Sequence, residues 1–561
     1  GANALAGLIY IKTKDPTNQF EGTSEITLGD YGTQNLGIAF GGPMKNEKLK
    51  YRLVLRTDYA DGFRKNIFLN KSDTSKKDEL TLRYKLNWDL NETTEINFLI
   101  SKVDMDDPAD IWTIDGSLNT LSDRPGMDSQ ETDSYGIKIT KNFNNFDLQS
   151  FTSVTNTDVN FSYDADWGNS ESHFPYIYDY FSETLRKRDT FSQEIRFLSK
   201  NTDFSQKNPF EWVFGFDFSE LEETNVTRDD GIYGDPSDPY GPYESESVVS
   251  RNYEAENLSL FGNIDYFLSE NYKLAFGLRW ENWDSKYNDS NQESFNPSDN
   301  MNGGKISLIK NNDNSNIYFS IARGYKQGGF NLGLDATDNS IKDSLIYDPE
   351  FLTNYEIGLS SNNNNSILNY SAVFFFSKRE DQQVLISRQV DPTDPNTFSY
   401  LTQNAAEGEN YGLEISSNYF VRDNLNLYAN FGLLKTKIKN WESRSDLENR
   451  AQAHAPERNF SLGANLSFKN NFYLKMDING KSSFFYSDSH NNKSKSYKLV
   501  NFSLGYTKSN FSTDIWVRNL FDEYYSTRGF FFGNEAPNFV DTLYRRQGDP
   551  KNIGISLRYD F

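Results

Sequence analysis

The last nine residues of the chain, 553–561, read Ile-Gly-Ile-Ser-Leu-Arg-Tyr-Asp-Phe. Every second side chain is apolar and the last two of these are aromatic, whereas the side chains between them are small or charged. Because a strand points successive side chains to opposite faces, one face of this segment is apolar and the other is polar. A transmembrane β-barrel strand needs this pattern, since one face contacts lipid and the other faces a wet lumen.

The same two-residue alternation recurs along the chain. Clear examples are residues 80–88, 273–281, 355–359 and 411–415. The charged residues of these stretches belong on the lumen face, because an Arg at the lipid midplane costs roughly 2–4 kcal/mol. The closing stretch is therefore one instance of a pattern that extends through the protein.

The composition excludes several classes of protein. With 44 Phe and 34 Tyr among 561 residues, the chain is too rich in aromatics for a disordered protein. No apolar run reaches the length of about 18 residues that a transmembrane helix needs. The net charge of −23 argues against nucleic-acid binding, because phosphate contacts require clustered Lys and Arg. The absence of Cys excludes disulfides, thiolate metal sites and cysteine nucleophiles.

Short turn-like segments and long polar segments alternate along the chain. The short segments are rich in Asn, Gly, Pro, Asp and Ser, as hairpin turns require, and they include 361–365 and the slightly longer 201–209. The alternation predicts an all-β fold, a transmembrane antiparallel β-barrel of about 22 strands, with short periplasmic turns and long extracellular loops. Among the long loops we place 103–131, 160–187, 224–252 and 380–404. A soluble repeat protein is the alternative, but we find no motif at the fixed spacing that repeat folds require.

Several stretches resemble those of one family. Residues 1–16, which include Asn-Ala-Leu-Ala-Gly-Leu-Ile-Tyr-Ile-Lys-Thr-Lys, resemble the last plug strand of TonB-dependent outer-membrane receptors. Residues 517–525, with their Asn-Leu-Phe-Asp, resemble the segment at the penultimate strand of that family. Residues 322–331 and 349–359 also resemble segments common in it. The stretches follow the family's order over essentially the whole chain.

The resemblance implies two domains, the end of a plug at 1–16 and a transmembrane barrel at 17–561. It implies the outer membrane of a Gram-negative bacterium, with the TonB complex of the inner membrane and the barrel-assembly machinery as partners. A signal peptide, a TonB box and most of the plug are then expected before Gly1. The implied cargo is a scarce nutrient, first of all a ferric siderophore or other iron complex. Cobalamin, an oligosaccharide, haem and a passive channel remain alternatives.

The resemblance implies a transporter and not an enzyme, with no catalytic residue and no cofactor. The residues themselves agree, because the many Asp and Glu lie mostly in polar loops and are best interpreted as solvated surface. No nucleophile elbow and no phosphate-binding loop is present.

Two groups of side chains near the predicted outer mouth have the chemistry to contact a ligand. One follows the apolar strand 317–321 and consists of Arg323, Tyr325 and Lys326. The other lies in or beside long loops and consists of Trp112, Tyr163 and Trp167. Anionic ferric complexes would favour the cations, whereas sugars or aromatic ligands would favour the ring faces. The alternative for each residue is a place in the outer aromatic girdle or in loop structure.

A cluster of carboxylates in the segment 103–131 offers a weak calcium candidate. Its members are Asp104, Asp106, Asp107 and Asp110. Calcium takes six to eight oxygen ligands, but the spacing matches no EF-hand loop. Solvated acidic loops are the alternative. The three His are dispersed in sequence, and His173, in a long loop, is the candidate that haem carriage would use.

The terminal aromatic, Phe561, resembles the signal that the barrel-assembly machinery reads on the last strand of outer-membrane proteins. Closure of a barrel also requires the last strand to pair with the first, which we place near residues 20–29. We therefore predict that Phe561 lies at a seam and acts in assembly rather than in ligand binding.

Overall fold

The computed structural model describes residues 5, 7–45, 47–200, 209–332, 345–361, 367–389, 398–488, 490–540 and 542–561. The described residues form 29 strands and one short 3-10 helix, Glu442–Leu447. In chain order the strands are β1 (Glu21–Gly29), β2 (Gln34–Pro43), β3 (Leu49–Ala60), β4 (Lys65–Asn66), β5 (Lys77–Asn91), β6 (Thr94–Pro108), β7 (Asn119–Thr120), β8 (Met127–Asn142), β9 (Phe146–Asp164), β10 (Ile177–Ser199), β11 (Phe210–Gly234), β12 (Tyr243–Ser269), β13 (Tyr272–Asp289), β14 (Ser294–Phe295), β15 (Ser298–Asn311), β16 (Ser315–Lys326), β17 (Gly329–Phe330), β18 (Ile346–Tyr347), β19 (Glu350–Ser361), β20 (Leu368–Gln389), β21 (Phe398–Arg422), β22 (Leu425–Lys439), β23 (Arg458–Ser467), β24 (Phe472–Lys481), β25 (Tyr497–Lys508), β26 (Phe511–Arg518), β27 (Ser526–Phe532), β28 (Thr542–Gln547) and β29 (Asn552–Asp560).

Twenty-two of these strands form one closed antiparallel barrel, which confirms the predicted fold class and strand number. Sequential neighbours pair around the wall, and β1 closes the ring by pairing with β29 from Thr23–Asp560 to Gly29–Gly554. The predicted seam is therefore confirmed. A closed ring leaves no row of unpaired backbone N–H and C=O groups, which a sheet edge in lipid would expose.

The seven remaining strands are short and lie in the long loops. Residues of β4 and β7 pair in parallel, whereas β17 pairs with β18 and β27 with β28 in antiparallel hairpins. The two-residue β14 pairs with the end of β13. We call the barrel end that carries these loops the long-loop end. No helix in the described part of the chain is long and apolar enough to span a membrane.

The apolar side chains lie mostly on the outside of the wall. On β29 the exposed apolar residues are Ile553, Leu557 and Tyr559, as the alternation predicts. The buried apolar residues instead form two small clusters, one of Trp283, Met301 and Tyr325 and one of Val384, Ile438, Trp441 and Leu447. Both consist of residues from upper strand ends and loops. The barrel thus has no single central core, because lipid covers its apolar surface.

Several segments predicted as long loops are strands over much of their length. Between β9 and β10 only residues 165–176 lie outside the sheet, where we expected 160–187. Between β11 and β12 the gap is 235–242 rather than 224–252, and the ends of the expected loops 103–131 and 380–404 are likewise strand. Above the apolar belt both strand faces are wet, so the hydrophobic alternation that marks a strand disappears although the backbone ladder continues. Two predicted turns, at 201–209 and 361–365, fall largely outside the described residues.

Polar cross-strand pairs hold these tall strands together. The Arg188 guanidinium donates to Glu223 from β10 to β11, with the Nε atom 2.8 Å from Oε2. Thr184 and Thr227 hydroxyls lie 3.1 Å apart in the same strand pair. Cross-strand pairs of this kind each contribute roughly 0.2–1 kcal/mol. These long strands therefore extend the wall beyond the apolar belt, and the loops begin at their upper ends.

Candidate ligand-binding site at the long-loop end

Two of the predicted ligand-contact residues, Trp112 and Trp167, come together at the long-loop end. Their rings stack, with centroids 5.6 Å apart and an interplanar angle of 21°. The β27–β28 hairpin completes the cluster, because Phe530 meets Trp112 edge-on at 4.6 Å and Tyr544 meets Trp167 edge-on at 4.8 Å. We call Trp112, Trp167, Phe530 and Tyr544 the aromatic cluster.

The aromatic cluster joins three loops that are far apart in the sequence. Trp112 lies between β6 and β8, Trp167 between β9 and β10, and the hairpin between β26 and β29. Trp167 and Tyr544 are buried, whereas Trp112 and Phe530 are half-buried. Edge-on and offset ring pairs contribute about 0.5–1.5 kcal/mol each beyond the burial of their area. The cluster therefore stabilises the arrangement of the loops and leaves part of the Trp112 and Phe530 surfaces for contact.

A buried polar group lies directly beside these rings and links the same three loops. The Ser122 hydroxyl donates to Asp164, and the backbone N–H of Trp167 donates to Asp164 Oδ1 at 2.9 Å. The Asn534 side-chain amide donates to the Asp166 carbonyl at 2.6 Å. Burial, and then the neighbouring Asp166 carboxylate, raises the pKa of Asp164 well above its ordinary value. Asp164 thus links the loop that carries Ser122 to the loop that carries Trp167.

The imidazole of His173 belongs to this buried group. Its Nε2 atom lies 3.6 Å from Asp166 Oδ2, and neither atom has a hydrogen-bond partner among the described residues. The His173 ring also meets Tyr178 edge-on at 5.0 Å. Since His173 is buried among loop side chains, its imidazole is not presented at the mouth.

Tyr163 lies on β9 one residue before Asp164. Its ring centroid is 5.6 Å from that of Phe161, two residues earlier on the same strand face. Its register partner on β10 is Ser182. Tyr163 is exposed above the apolar belt, so its role as a ligand contact stays a prediction.

Arg323, Tyr325 and Lys326 lie at the upper end of β16, and their partners belong to β13, β19 and β20. The Arg323 guanidinium lies over the Phe351 ring at 4.5 Å and within 4.0 Å of Glu380. Lys326 is exposed at the strand end. These contacts place the group in a different part of the mouth from the aromatic cluster.

Tyr325 is built into the wall of the barrel. Its side chain is 2% exposed, and its hydroxyl donates to Glu281 Oε2 at 2.9 Å. The Arg279 guanidinium lies within hydrogen-bond distance of both Tyr325 and Glu281. Arg279 and Tyr325 border a lumen cavity of about 780 Å³, which Glu356, Glu414 and Asn410 also line. This polar wall faces the space that a plug would occupy.

The four calcium candidates have different partners. Asp104 and Asp106 lie on β6, with Asp106 Oδ2 3.7 Å from Lys76 Nζ, and Asp107 accepts from the Asp78 N–H at 2.7 Å. Asp110 is buried, and it accepts from Thr120 at 2.6 Å and from Asn66 at 3.0 Å. Burial raises the pKa of Asp110. Within the described ranges no three His, Asp or Glu side chains surround a common point suitable for a metal ion.

The sequence reasoning missed a group of arginines on the β27–β28 hairpin. Arg528 of β27 and Arg546 of β28 are exposed and lie directly opposite each other. The adjacent pair Arg545-Arg546 in a long loop of an acidic chain was a signal that could have revealed the group. That Arg528 would lie beside it depends on the hairpin register, which the sequence did not predict.

A comparison with family models identifies the protein's class. The model described as "TonB dependent receptor-like, beta-barrel" matches residues 13–520. The chain belongs to the TonB-dependent receptor family. TonB-dependent receptors are transporters of the Gram-negative outer membrane, and this receptor's closed multi-strand barrel accords with that location.

Solved structures of receptors with the same fold match this TonB-dependent receptor over nearly its whole length. The ferric yersiniabactin uptake receptor FyuA from Yersinia pestis matches with a TM-score of 0.80 and 18% identity, covering 100% of this chain and 83% of that one. The siderophore receptor PiuA from Acinetobacter baumannii matches with a TM-score of 0.75 and 15% identity, covering 100% and 84%. The copper transporter OprC matches with a TM-score of 0.74 and 14% identity, covering 98% and 82%. At these identities the likeness shows the fold and leaves the cargo open.

Proposed function

We propose that this TonB-dependent receptor takes up a ferric siderophore or another iron complex actively across the outer membrane. The observation that carries the proposal lies at the outer mouth. There the exposed Arg528 and Arg546 share one face of the β27–β28 hairpin with two members of the aromatic cluster, Phe530 and Tyr544. Iron complexes of this kind combine oxygen donors with rings or apolar arms, which arginines and aromatic faces bind. Two of the structurally similar proteins, a ferric yersiniabactin uptake receptor and a siderophore receptor, support the same cargo class.

The other cargoes receive less support. Haem carriage would favour an accessible imidazole as an axial ligand, whereas His173 is buried against Asp166. His454 is exposed and His490 is half-buried, but neither belongs to a group of three possible metal ligands among the described residues. A passive channel is disfavoured by membership of a TonB-dependent family. No described feature points specifically to cobalamin or an oligosaccharide.

The proposal includes the TonB complex of the inner membrane as the energy source and residues 1–16 as the end of a plug. Lys85 Nζ donates to the Thr13 carbonyl and pairs with Asp15, each at 2.9 Å, which anchors this segment to the wall. Four consecutive side chains, Leu8 to Ile11, are at least 80% exposed. Apolar side chains in a wet lumen favour packing against further protein, as a globular plug would provide. Residues 1–4 and 6 lie outside the described residues.

Uptake of labelled iron tests the cargo and the energy source together. Cells that express the full-length receptor are supplied with ferric catecholate, carboxylate and hydroxamate complexes, with and without an intact TonB complex. We expect at least one iron complex to be taken up only when TonB is intact. Uptake of cobalamin or a sugar with no iron complex bound, or uptake that persists without TonB, would contradict the proposal.

A further inference from the structure

The β27–β28 hairpin carries an unusual concentration of positive charge. Arg528 and Arg546 are exposed and directly opposite in register, and Arg545 is adjacent. Among the residues that the structure describes, no carboxylate forms an ion pair with any of the three, although the whole chain has a net charge of −23. Like charges directly opposite on a sheet destabilise it, with Cβ atoms about 4.5–5.5 Å apart. A bound anion would remove that repulsion.

A fourth guanidinium, that of Arg64, lies close to Arg546. Arg64 is 6% exposed, stacks on Phe63 at 4.6 Å and donates from Nη2 to the Gln547 carbonyl at 3.3 Å. Burial, and then the positive charge of Arg546, lowers the pKa of Arg64 to about 10. Asp549 and Asp110 act in the opposite direction on Arg64.

The positive region extends past Arg528 to the neighbouring loop. The charge of Arg528 contributes, after burial, to the lowered pKa of His454, while Asp488 opposes it. Glu535, in the loop between the two hairpin strands, accepts from the Tyr544 hydroxyl at 3.0 Å. The two exposed hairpin arginines thus lie close to the loops that carry Arg64 and His454.

The alternation of side chains along the two strands decides which arginines share a face of the hairpin. Arg528 and Arg546 share a hairpin face with the paired Phe530 and Tyr544, which pack against the tryptophans of the aromatic cluster. Arg545 pairs with Gly529 on the opposite face, which packs on Tyr486. The first face therefore combines two exposed guanidinium groups with the half-buried ring of Phe530 and the buried ring of Tyr544. Guanidinium groups bind carboxylate and similar oxygen pairs in bidentate fashion, and a ring face covers the apolar part of a ligand.

We propose that Arg528 and Arg546, supported by Arg64 and bordered by Trp112 and Phe530, form an anion-binding site that selects negatively charged iron complexes. Such complexes offer anionic oxygens of deprotonated catecholate or carboxylate groups, whereas neutral hydroxamate complexes offer none in excess of the metal charge. The choice of iron complexes as the ligand rests on the proposed function, whereas the binding of an anion at this site does not depend on it. Catecholate and carboxylate groups both offer such anionic oxygens, and binding of a ferric tricatecholate and of ferric citrate distinguishes between them.

The test compares two variants of the full-length receptor, both altered on the same hairpin. Arg528→Gln/Arg546→Gln removes the proposed site, and Arg545→Gln is the matched control on the other face. Binding of ferric citrate, a ferric tricatecholate and a neutral ferric trihydroxamate is followed through quenching of tryptophan fluorescence. We expect the double substitution to weaken binding of the charged complex that the receptor prefers by about 10- to 100-fold. We expect the affinity of Arg545→Gln for every probe, and the affinity of both variants for the neutral complex, to change less than about fivefold, since a single exposed charge contributes little.

A charge-preserving variant tests whether the planar shape of the guanidinium groups, and not only their charge, contributes to binding. Arg528→Lys/Arg546→Lys keeps the charge but loses the bidentate fork, so we expect an intermediate loss, and heat-modifiable migration in gels verifies that each barrel is folded. Equal affinity of wild type and Arg528→Gln/Arg546→Gln for every charged probe, or an equal loss in Arg545→Gln, would overturn the site. Metal-free citrate is the probe that distinguishes the two proposals. If citrate binds wild type but not the double variant while no iron complex binds, the anion site stands and the iron cargo fails.

Discussion

The N–H of Gly22 donates to the carbonyl of Phe561 at 2.7 Å, and the N–H of Phe561 donates to the carbonyl of Gly22 at 2.9 Å. These two bonds extend the β1–β29 pairing by one residue at the short-turn end. The Phe561 ring covers the Gly22 backbone so closely that a Cβ on Gly22 would lie 2.2 Å from it. The last residue of the chain thus closes the barrel seam with its backbone and covers it with its ring, beside Tyr559 at 6.1 Å and Phe20 at 6.0 Å.

Removal of Phe561 is expected to reduce the amount of folded barrel without changing ligand affinity per folded molecule. The deletion removes both seam hydrogen bonds and the aromatic group that we propose the assembly machinery reads. Phe561→Ala keeps the backbone pair and removes the ring, and Phe561→Trp keeps an aromatic. Heat-modifiable migration in gels measures the folded fraction, and we expect wild type and Phe561→Trp to exceed Phe561→Ala, with the deletion lowest. Normal assembly of the deletion variant would refute the assembly role.

The loop group around Asp164 is expected to lose local stability as the pH rises. The pKa of Asp164 is raised in the folded loops, so the folded state holds a proton that the opened state releases. This contribution is fully present below the ordinary carboxyl pKa of about 4 and is lost as the pH rises through the raised value. Asp164→Asn is the neutral analogue of the protonated acid, because its oxygen can still accept from the Trp167 N–H, while its amide donates to the Ser122 hydroxyl oxygen in place of accepting from it. Hydrogen exchange of residues 165–176 at about pH 5 and about pH 8 should show less pH dependence in the variant.

Asp123 and Asp179, whose pKa values are also raised chiefly by burial, lie near Asp166 and contribute in the same direction. A residual pH dependence in Asp164→Asn is therefore expected. An unchanged dependence would show that Asp164 does not carry the proton.

Trp167→Ala is expected to loosen three loops and leave the barrel intact. Trp167 is 8% exposed, and its ring contacts Trp112, Phe530 and Tyr544. Removal of a buried tryptophan ring costs about 3–5 kcal/mol, here as local opening of the loops. Trp112→Ala, at a half-buried position, should cost less. Hydrogen exchange should accelerate in all three loops while thermal unfolding of the barrel is unchanged; acceleration confined to residues 165–176 would disprove the coupling of the loops.

Tyr325→Phe distinguishes a structural role from ligand contact. The change removes the hydroxyl that donates to the fully buried Glu281, which we expect to cost about 1–3 kcal/mol of barrel stability. Because the ring is buried, ligand affinity should not change. Chemical unfolding and ligand titration are compared with Tyr240→Phe, a change at an exposed loop position. A loss of affinity without a loss of stability would favour the ligand-contact role predicted from the sequence.

The sequence was most informative where the membrane imposes a rule on it. Lipid on one side and water on the other produce the two-residue alternation of Ile553 to Phe561. The alternation of short turns with long loops predicts the strand number, and the closure of the barrel predicts the seam. The two-residue alternation ends above the lipid, because both faces of a strand are wet there. The sequence therefore predicts loops for the upper parts of β9 to β12. There the backbone hydrogen bonds continue, but nothing in the hydrophobic pattern marks them.

The candidate site was only partly predictable. Trp112 and Trp167 could be selected as large aromatics in polar loops, but their stacking and their contacts with Phe530 and Tyr544 could not. The burial of Tyr325 against Glu281 and of His173 against Asp166 also depends on segments that are distant in sequence. Arg528 and Arg546 are 18 positions apart, and only the hairpin register makes them neighbours.

The sequence by itself determined the barrel, its strand number, its closure and its family, because each strand responds to lipid and water independently of the others. The tertiary structure alone decided which loops meet at the mouth and which side chains they bring together. Loop conformations have no period and derive their stability from long-range contacts such as the bond from Asn534 to Asp166, 368 positions away. The proposed ligand site is built from such contacts, so its composition became visible only once the chain was folded.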